Sequence, residues 1–368
     1  MRKIGIIGAG NLGHYIAAKL GRENEIYIFT RDTENWSSEV TAIDITGKRF
    51  IGRVKEVSAD SKKIVGKCEI LFVTWPTHIV ARRMSEIAHY IKEGAWICFC
   101  PGYGGKEFIC EELIERGVHI IGIQRVFSST KIINRGREVQ CIDNRPCIQM
   151  GSVIKDDREN GRRMLEELYH KPCIVFDNYL NITLTPSNPV LHTARLYSLF
   201  KDYWPGKIYD RQLSFYSEWN DDSSYILLGI DREVQSICAV LEDLDLQGVR
   251  SLKKHYEIAD VSGKNDCERM TKKIKSLKFL KDLAPMKAVD GGFVPDLNAR
   301  YFHEDFAFGL YVIRDFARIL KLKTPQMDEI IEWHEQMMRE IPMDDYAKVL
   351  PREHGISSQE DILKYYTR

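Results

Sequence analysis

Three segments of this sequence carry residue types whose spacing suits chemistry rather than packing. Gly8-Ala9-Gly10-Asn11-Leu12-Gly13 follows an apolar strand pattern, Lys3–Ile7, and opens a short amphipathic helix pattern, Asn11–Leu20. In such a turn Gly8 permits the tight reversal, Gly10 lets the backbone approach a pyrophosphate, and Gly13 lets helix and strand pack closely. The helix N-terminus adds free N–H groups and a positive dipole end. A glycine turn without a ligand can be spelled the same way. What favours a dinucleotide site is the strand–turn–helix setting near the N-terminus, with a second strand, Glu25–Phe29, arriving on schedule.

The end of that second strand chooses between dinucleotides. An acidic residue there hydrogen-bonds the ribose 2′-OH of NAD, whereas an arginine suits the 2′-phosphate of NADP. The chain reads Phe29-Thr30-Arg31-Asp32, so Thr30 and Arg31 come first and favour NADP. Asp32, one place later, would serve NAD if the strand ran longer.

The other two segments lie in the second half. Thr185-Pro186-Ser187-Asn188-Pro189-Val190-Leu191-His192 brings a histidine out of a proline-punctuated turn into a helix start. Asn298-Ala299-Arg300-Tyr301-Phe302-His303-Glu304-Asp305 sets Arg300 just before a helix and Asp305 in its first turn. A histidine that moves protons needs a carboxylate to orient it, and an arginine can grip a substrate carboxylate with two hydrogen bonds. Taken singly, His192 is an ordinary helix-start histidine and Asp305 an ordinary N-terminal carboxylate.

The surrounding elements are those such residues need. Glu69–Thr74, Ala95–Cys100 and Val118–Ile123 are unbroken apolar runs, and a helix is expected from about Pro76 to Ile91. Val54–Val57 reads as a weaker strand. Runs of this kind alternating with helices predict βαβ units and a parallel sheet buried on both faces. Gln124 to Ile182 reads as strand-like with turns. From Pro186 onward helical periodicity takes over, most clearly at Tyr225–Leu241, Asp266–Leu283, Glu304–Leu322 and Met327–Arg339. The expected architecture is therefore an α/β Rossmann domain with a doubly wound parallel sheet, residues 1–182, followed by a mostly α-helical substrate domain, residues 183–368.

Composition narrows the function. A chain of 368 residues with 44% hydrophobic and 29% charged residues suits two globular domains. Lys+Arg and Asp+Glu balance at 53 each, and the most basic stretch, Lys272–Lys281, reads as a solvated helix face, which argues against a nucleic-acid partner. No apolar run reaches the length of a membrane span. Nine scattered cysteines lack zinc-ligand spacing and read as reduced core thiols in a cytoplasmic protein, with no metal site. Trp75, Trp204, Trp219, Tyr203 and Tyr216 are aromatic candidates for a substrate cleft, against the commoner use of such rings in a core.

The chain resembles the opine dehydrogenases of the octopine/nopaline dehydrogenase family nearly end to end. The resemblance runs through the glycine turn, Phe72-Val73-Thr74-Trp75-Pro76, and Pro101-Gly102-Tyr103-Gly104-Gly105-Lys106-Glu107-Phe108. It continues through Asn188-Pro189-Val190-Leu191-His192, Phe215-Tyr216 leading to Asp231-Arg232-Glu233, Arg300-Tyr301-Phe302-His303-Glu304-Asp305, and Thr324-Pro325. It implies an NAD(P)H-dependent oxidoreductase acting on CH–NH donors, which condenses an amino acid or other amine with an α-keto acid and reduces the imine. It further implies that His192 and Asp305 form the acid/base pair and that Arg300 holds a substrate carboxylate. The residues expected at the cofactor are Gly8, Gly10, Asn11, Leu12, Gly13, Thr30, Arg31 and Pro76, with NADP favoured and NAD allowed. The chain departs from the family in Thr193, where proline often follows the histidine, and across Gln124–Arg137. Two rivals stay open: an NADP-dependent keto- or hydroxy-acid reductase of the same architecture, and a dinucleotide-binding sensor without turnover. Oligomeric state is open, a homodimer being allowed.

Overall fold

The alternating runs of the first half form one sheet of eleven strands in the computed structural model, which describes residues 1–259, 265–277 and 283–368. In chain order the strands are β1 (Lys3–Ile7), β2 (Glu25–Phe29), β3 (Glu39–Ile43), β4 (Arg49–Ser58), β5 (Ile70–Val73), β6 (Trp96–Phe99), β7 (His119–Ile123), β8 (Thr130–Asn134), β9 (Glu138–Cys141), β10 (Ile148–Ser152) and β11 (Cys173–Val175). Their order across the sheet is β11-β10-β7-β6-β5-β1-β2-β4-β3-β9-β8. The central run from β7 to β4 is parallel, with Ile6 opposite Ile28 on one side and Phe72 on the other. Ile4, Ile6, Ile28 and Phe72 are fully buried, each stabilising the fold by about 1.5–3 kcal/mol. β1 sits where the winding reverses, between β2 and β5, so the crevice beyond its carboxyl end is the place where this architecture binds ligands.

The edges differ from the purely parallel sheet expected. β3 runs antiparallel to β4, β8 to β9, and β10 to β7. The stretch that reads as strand-like also contains a helix, Asp157–Tyr169. Its sequence, DRENGRRMLEELY, buries only one stripe, including Met164, Leu165 and Leu168.

Two compact units are present: Met1–Thr183 with Leu244–Leu246 and Leu363–Arg368, and Leu184–Asp243 with Gln247–Ile362. The expected contiguous division at 182/183 omitted the two returning pieces. They belong to the first unit through polar anchors: Asn178 and Asn181 donate to the Asp245 carbonyl at 3.1 and 2.8 Å, and Tyr366 donates to Glu107 at 2.9 Å.

The second unit is mainly helical. Its helices include Asn188–Phe200, Asp221–Val240, Asp266–Lys275, Tyr311–Ile319 and Pro325–Met337, with a small hairpin of β12 (Met286–Val289) and β13 (Gly292–Pro295). Side-chain caps set two of the starts: Asn220 accepts from the Ser223 amide and Asn265 from the Cys267 amide, both at 2.9 Å. The helix expected over Asp266–Leu283 ends at Lys275, and residues 278–282 lie outside the described residues. The helix expected over Glu304–Leu322 is two elements, a π-helical turn series Tyr301–Leu310 running into Tyr311–Ile319, with Phe308 off helical geometry at the junction. Among the described residues no helix is long and apolar enough to cross a membrane.

Candidate functional site

In the first unit, a cavity of about 870 Å³ opens over the carboxyl ends of β1 and β2. Gly8, Gly10, Thr30, Arg31 and Pro76 line it, together with Asp32, Trp75, Arg82, Arg83 and Arg135. The glycines divide their tasks physically. Gly8 adopts φ +113°, and a side chain there would strike Thr74. A Cβ at Gly13 would lie 2.2 Å from the Gly8 carbonyl, so this position is glycine because helix and turn touch. A Cβ at Gly10 would meet nothing within 4 Å, so the space above it is open to a ligand. The helix Asn11–Leu20 starts there with no side-chain cap, leaving its first amides for an anion. The donor set fits the pyrophosphate of a dinucleotide.

Asn11, Leu12 and Gly13, expected at the cofactor, are not among the lining residues. The Asn11 side chain accepts from the Ile132 amide of β8 at 3.0 Å, Leu12 packs against the core, and Gly13 serves the close approach just described. His14, given no site role from the sequence, is fully buried behind the turn. Its Nδ1–H donates to the Gly10 carbonyl at 2.8 Å, and its Nε2 accepts from the Gly136 amide at 2.7 Å. Those two roles require the neutral ring, and burial pushes its pKa down in keeping.

In the second unit, the helix Asn188–Phe200 carries His192, and the π-helix Tyr301–Leu310 carries Asp305. These elements pack tightly because Gly309 has no side chain: a Cβ there would lie 2.6 Å from Pro189. His192 Nδ1 lies 2.9 Å from Asp305 Oδ2, with the imidazole almost buried and the carboxylate fully so. A carboxylate only accepts, so Nδ1 carries the proton and, in the neutral ring, Nε2 is the acceptor. Nε2 faces the Tyr216 hydroxyl at 3.1 Å. Burial pushes the Tyr216 phenol well above its ordinary range, so it stays a neutral donor. The second Asp305 oxygen, Oδ1, is buried without a hydrogen-bond partner among the described residues.

Aromatic rings wall this cluster. Phe215 and Tyr301 meet the His192 ring edge-on at 5.6 and 4.9 Å. Arg300 stands at the start of the π-helix, its guanidinium 5.9 Å from the Tyr301 ring, and so lies one ring away from His192. Arg195, one turn beyond His192, is buried and clamps the Tyr216 segment, donating to the Phe215 and Ser214 carbonyls at 2.5 and 2.9 Å and to Ser223 Oγ at 2.9 Å. Thr193, the departure after the histidine, turns its hydroxyl back to the Pro189 carbonyl at 2.5 Å. His334 holds the π-helix from behind: Nε2–H donates to the Phe302 carbonyl at 2.8 Å, Nδ1 accepts from Tyr311 at 2.9 Å, and the ring stacks on Phe306.

Of the three residues the resemblance pointed to, His192 and Asp305 meet in a hydrogen bond, while Arg300 lies beside Tyr301, whose ring contacts His192. Tyr216 was expected only as a cleft-lining ring, not as a partner of His192, and Arg195 was given no role. Of the other aromatic candidates, Trp219 is buried beside Tyr216 and Trp75 lines the dinucleotide cavity. Tyr203 and Trp204 belong to a separate hollow with Trp333.

The chain is similar to known proteins. Residues 175–338 match the family described as "NAD/NADP octopine/nopaline dehydrogenase, alpha-helical domain", and residues 4–135 match that described as "Ketopantoate reductase PanE/ApbA". The chain is 24% identical to tauropine dehydrogenase of Arabella iricolor, covering 97% of this chain and 99% of the relative. It is also 24% identical to octopine dehydrogenase of Pecten maximus, covering 98% of each. An octopine dehydrogenase structure with NADH and L-arginine has the same fold, with a TM-score of 0.82 at 22% identity over 99% of this chain and 98% of the other.

Proposed function

The chain belongs to the opine dehydrogenase (octopine/nopaline dehydrogenase) family, and from that premise we propose that it is an NAD(P)H-dependent opine dehydrogenase. It condenses an amino acid or other amine with an α-keto acid, releasing water, and reduces the resulting imine to a secondary amine. The single observation that carries this reading is the His192–Asp305 pair at 2.9 Å, which turns Nε2 away from the carboxylate toward the Tyr216 hydroxyl.

The bound dinucleotide supplies the hydride that reduces the imine carbon. Gly8, Gly10, Pro76, Thr30 and Arg31 would hold it along the cavity of the first unit, and four lining arginines against two carboxylates favour NADP over NAD. In its imidazolium form, stabilised by Asp305, His192 gives a proton from Nε2 as the carbonyl oxygen leaves as water and returns to the Nδ1–H tautomer that Asp305 holds. Arg300 anchors a substrate carboxylate, which reduces the entropy lost in aligning two reactants. Tyr216 bonds Nε2 at 3.1 Å and keeps the ring aimed. A reducing, cytoplasmic setting suits the nine cysteines, all of them free thiols.

The match of residues 4–135 to ketopantoate reductases favours one second reading, reduction of a keto acid without an amine. Oxidation of NADPH or NADH with amine and α-keto acid pairs, beginning with L-arginine, decides between them. The proposed function requires both partners for turnover, whereas rapid oxidation with a keto acid alone, unchanged by any amine, would establish the second reading.

A further inference from the structure

The end of β2 offers contradictory instructions, an arginine and an aspartate side by side, and the hairpin β8–β9 resolves the contradiction. Arg135, at the tip of that hairpin, reaches the dinucleotide cavity and pairs through Nε with Asp32 Oδ2. Asn35 donates to the other carboxylate oxygen at 2.7 Å. Both oxygens that could accept from a ribose 2′-hydroxyl are thus engaged. Arg31, on the same rim, makes no ion pair among the described residues. Arg83 is already committed to Glu86 at 2.8 Å and to the faces of Phe29 and Trp75.

The hairpin tip is held where it is by buried contacts. Gly136 donates to His14 Nε2 at 2.7 Å, and His14 in turn holds the Gly10 carbonyl. Gly136 also accepts from the Ser37 amide at 3.1 Å, and its φ of +70° places it so close to Asn35 that a Cβ would lie 2.1 Å from that carbonyl. Asn11 fixes β8 itself through Ile132. The glycine turn and the Arg135 tip are thus one connected piece, so Arg135 keeps a defined position relative to the dinucleotide cavity.

We propose that Arg135 is the residue that sets dinucleotide preference, by occupying the Asp32 carboxylate and, together with Arg31, receiving a phosphate monoester on the ribose 2′ position. This rests on the dinucleotide reading of the first unit. A free carboxylate beside the 2′ position attracts a hydroxyl and repels a phosphate dianion. Bound to Arg135 the same carboxylate does both more weakly, and the guanidinium presents further N–H donors to phosphate oxygens.

The test is equilibrium binding of NADPH, NADH and adenosine 2′,5′-bisphosphate to the full chain without substrates, by calorimetry, with circular dichroism to check the fold. The wild type binds NADPH more tightly than NADH. Arg135→Ala lowers NADPH affinity roughly ten- to hundredfold, as expected for a lost charge-assisted phosphate contact, and raises NADH affinity by releasing Asp32. Arg135→Lys retains part of the preference. Adding Asp32→Asn to Arg135→Ala recovers NADPH binding and abolishes the gain for NADH. Arg31→Ala weakens NADPH and the bisphosphate with no gain for NADH. An NADPH/NADH affinity ratio left unchanged in folded Arg135→Ala and Arg135→Gln, or a wild type that prefers NADH, overturns the role of Arg135 alone. A wild type that binds neither dinucleotide overturns the reading on which it rests.

Discussion

His192 and Asp305 are 113 positions apart in the chain, yet their side chains meet at 2.9 Å inside one helical unit. The contact depends on Gly309 letting one helix press against Pro189 of the other. If the two act as one proton-handling device, their losses will not add. A positioned acid/base group contributes about a hundredfold to ten-thousandfold in rate. His192→Ala, Asp305→Ala and the double variant should therefore show similar falls in kcat with dinucleotide affinity nearly intact. Losses that multiply in the double variant would make them independent residues.

The glycine turn separates folding from binding. Gly13→Ala places a methyl within 2.2 Å of the Gly8 carbonyl, and forcing helix and turn apart should destabilise the first unit by about 1–3 kcal/mol, read by urea unfolding. Gly10→Val, pointing into open space, should keep the unfolding midpoint and lose dinucleotide affinity at least tenfold. Equal midpoints for both variants, or undiminished affinity in Gly10→Val, would contradict this division.

His334 gives the second unit a pH signature. Burial lowers its pKa from 6.5 to about 3, so the folded state binds fewer protons than the unfolded state in that interval. Stability is then full above about pH 6.5 and declines as pH falls toward 3, with a slope of up to about 1.4 kcal/mol per pH unit for one proton. The His334→Gln variant, which can still donate to the Phe302 carbonyl, should lose that component. Urea unfolding of both proteins at pH 4.5, 5.5, 6.5 and 7.5 checks it. A difference in stability that stays constant across this range would exclude the buried imidazole as its cause.

The parts of the fold that sequence reveals are those where a local pattern has one physical solution. β1, β5, β6 and β7 are buried on both faces and read as unbroken apolar runs. The Gly8–Gly13 turn is read directly because close approach at Gly8 and Gly13 leaves no room for a side chain. The helix Asp157–Tyr169 was missed because only a narrow stripe of it is buried, and it sits among edge strands. The π-helical geometry at Tyr301–Leu310 leaves the apolar spacing of an ordinary helix intact. The pairing of His192 with Asp305 was expected only through the resemblance that joined their segments. Tyr216 and Arg195 have no such spacing rule: the Tyr216 hydroxyl reaches His192 from 24 positions away, on a loop whose path is set by Arg195. Arg135 is hidden for the same reason, since its partner Asp32 lies 103 positions earlier.

The central claim is that one turnover joins two substrates through nitrogen. The most direct measurement is mass spectrometry of the product made from a ¹⁵N-labelled amine, an unlabelled α-keto acid and a nicotinamide dinucleotide carrying transferable deuterium at C4. The account predicts a single secondary amine that retains the ¹⁵N, contains the carbon skeletons of both substrates, and carries one deuterium on the former keto carbon. Deuterium appearing only in a 2-hydroxy acid, with the ¹⁵N amine recovered unchanged, would contradict it.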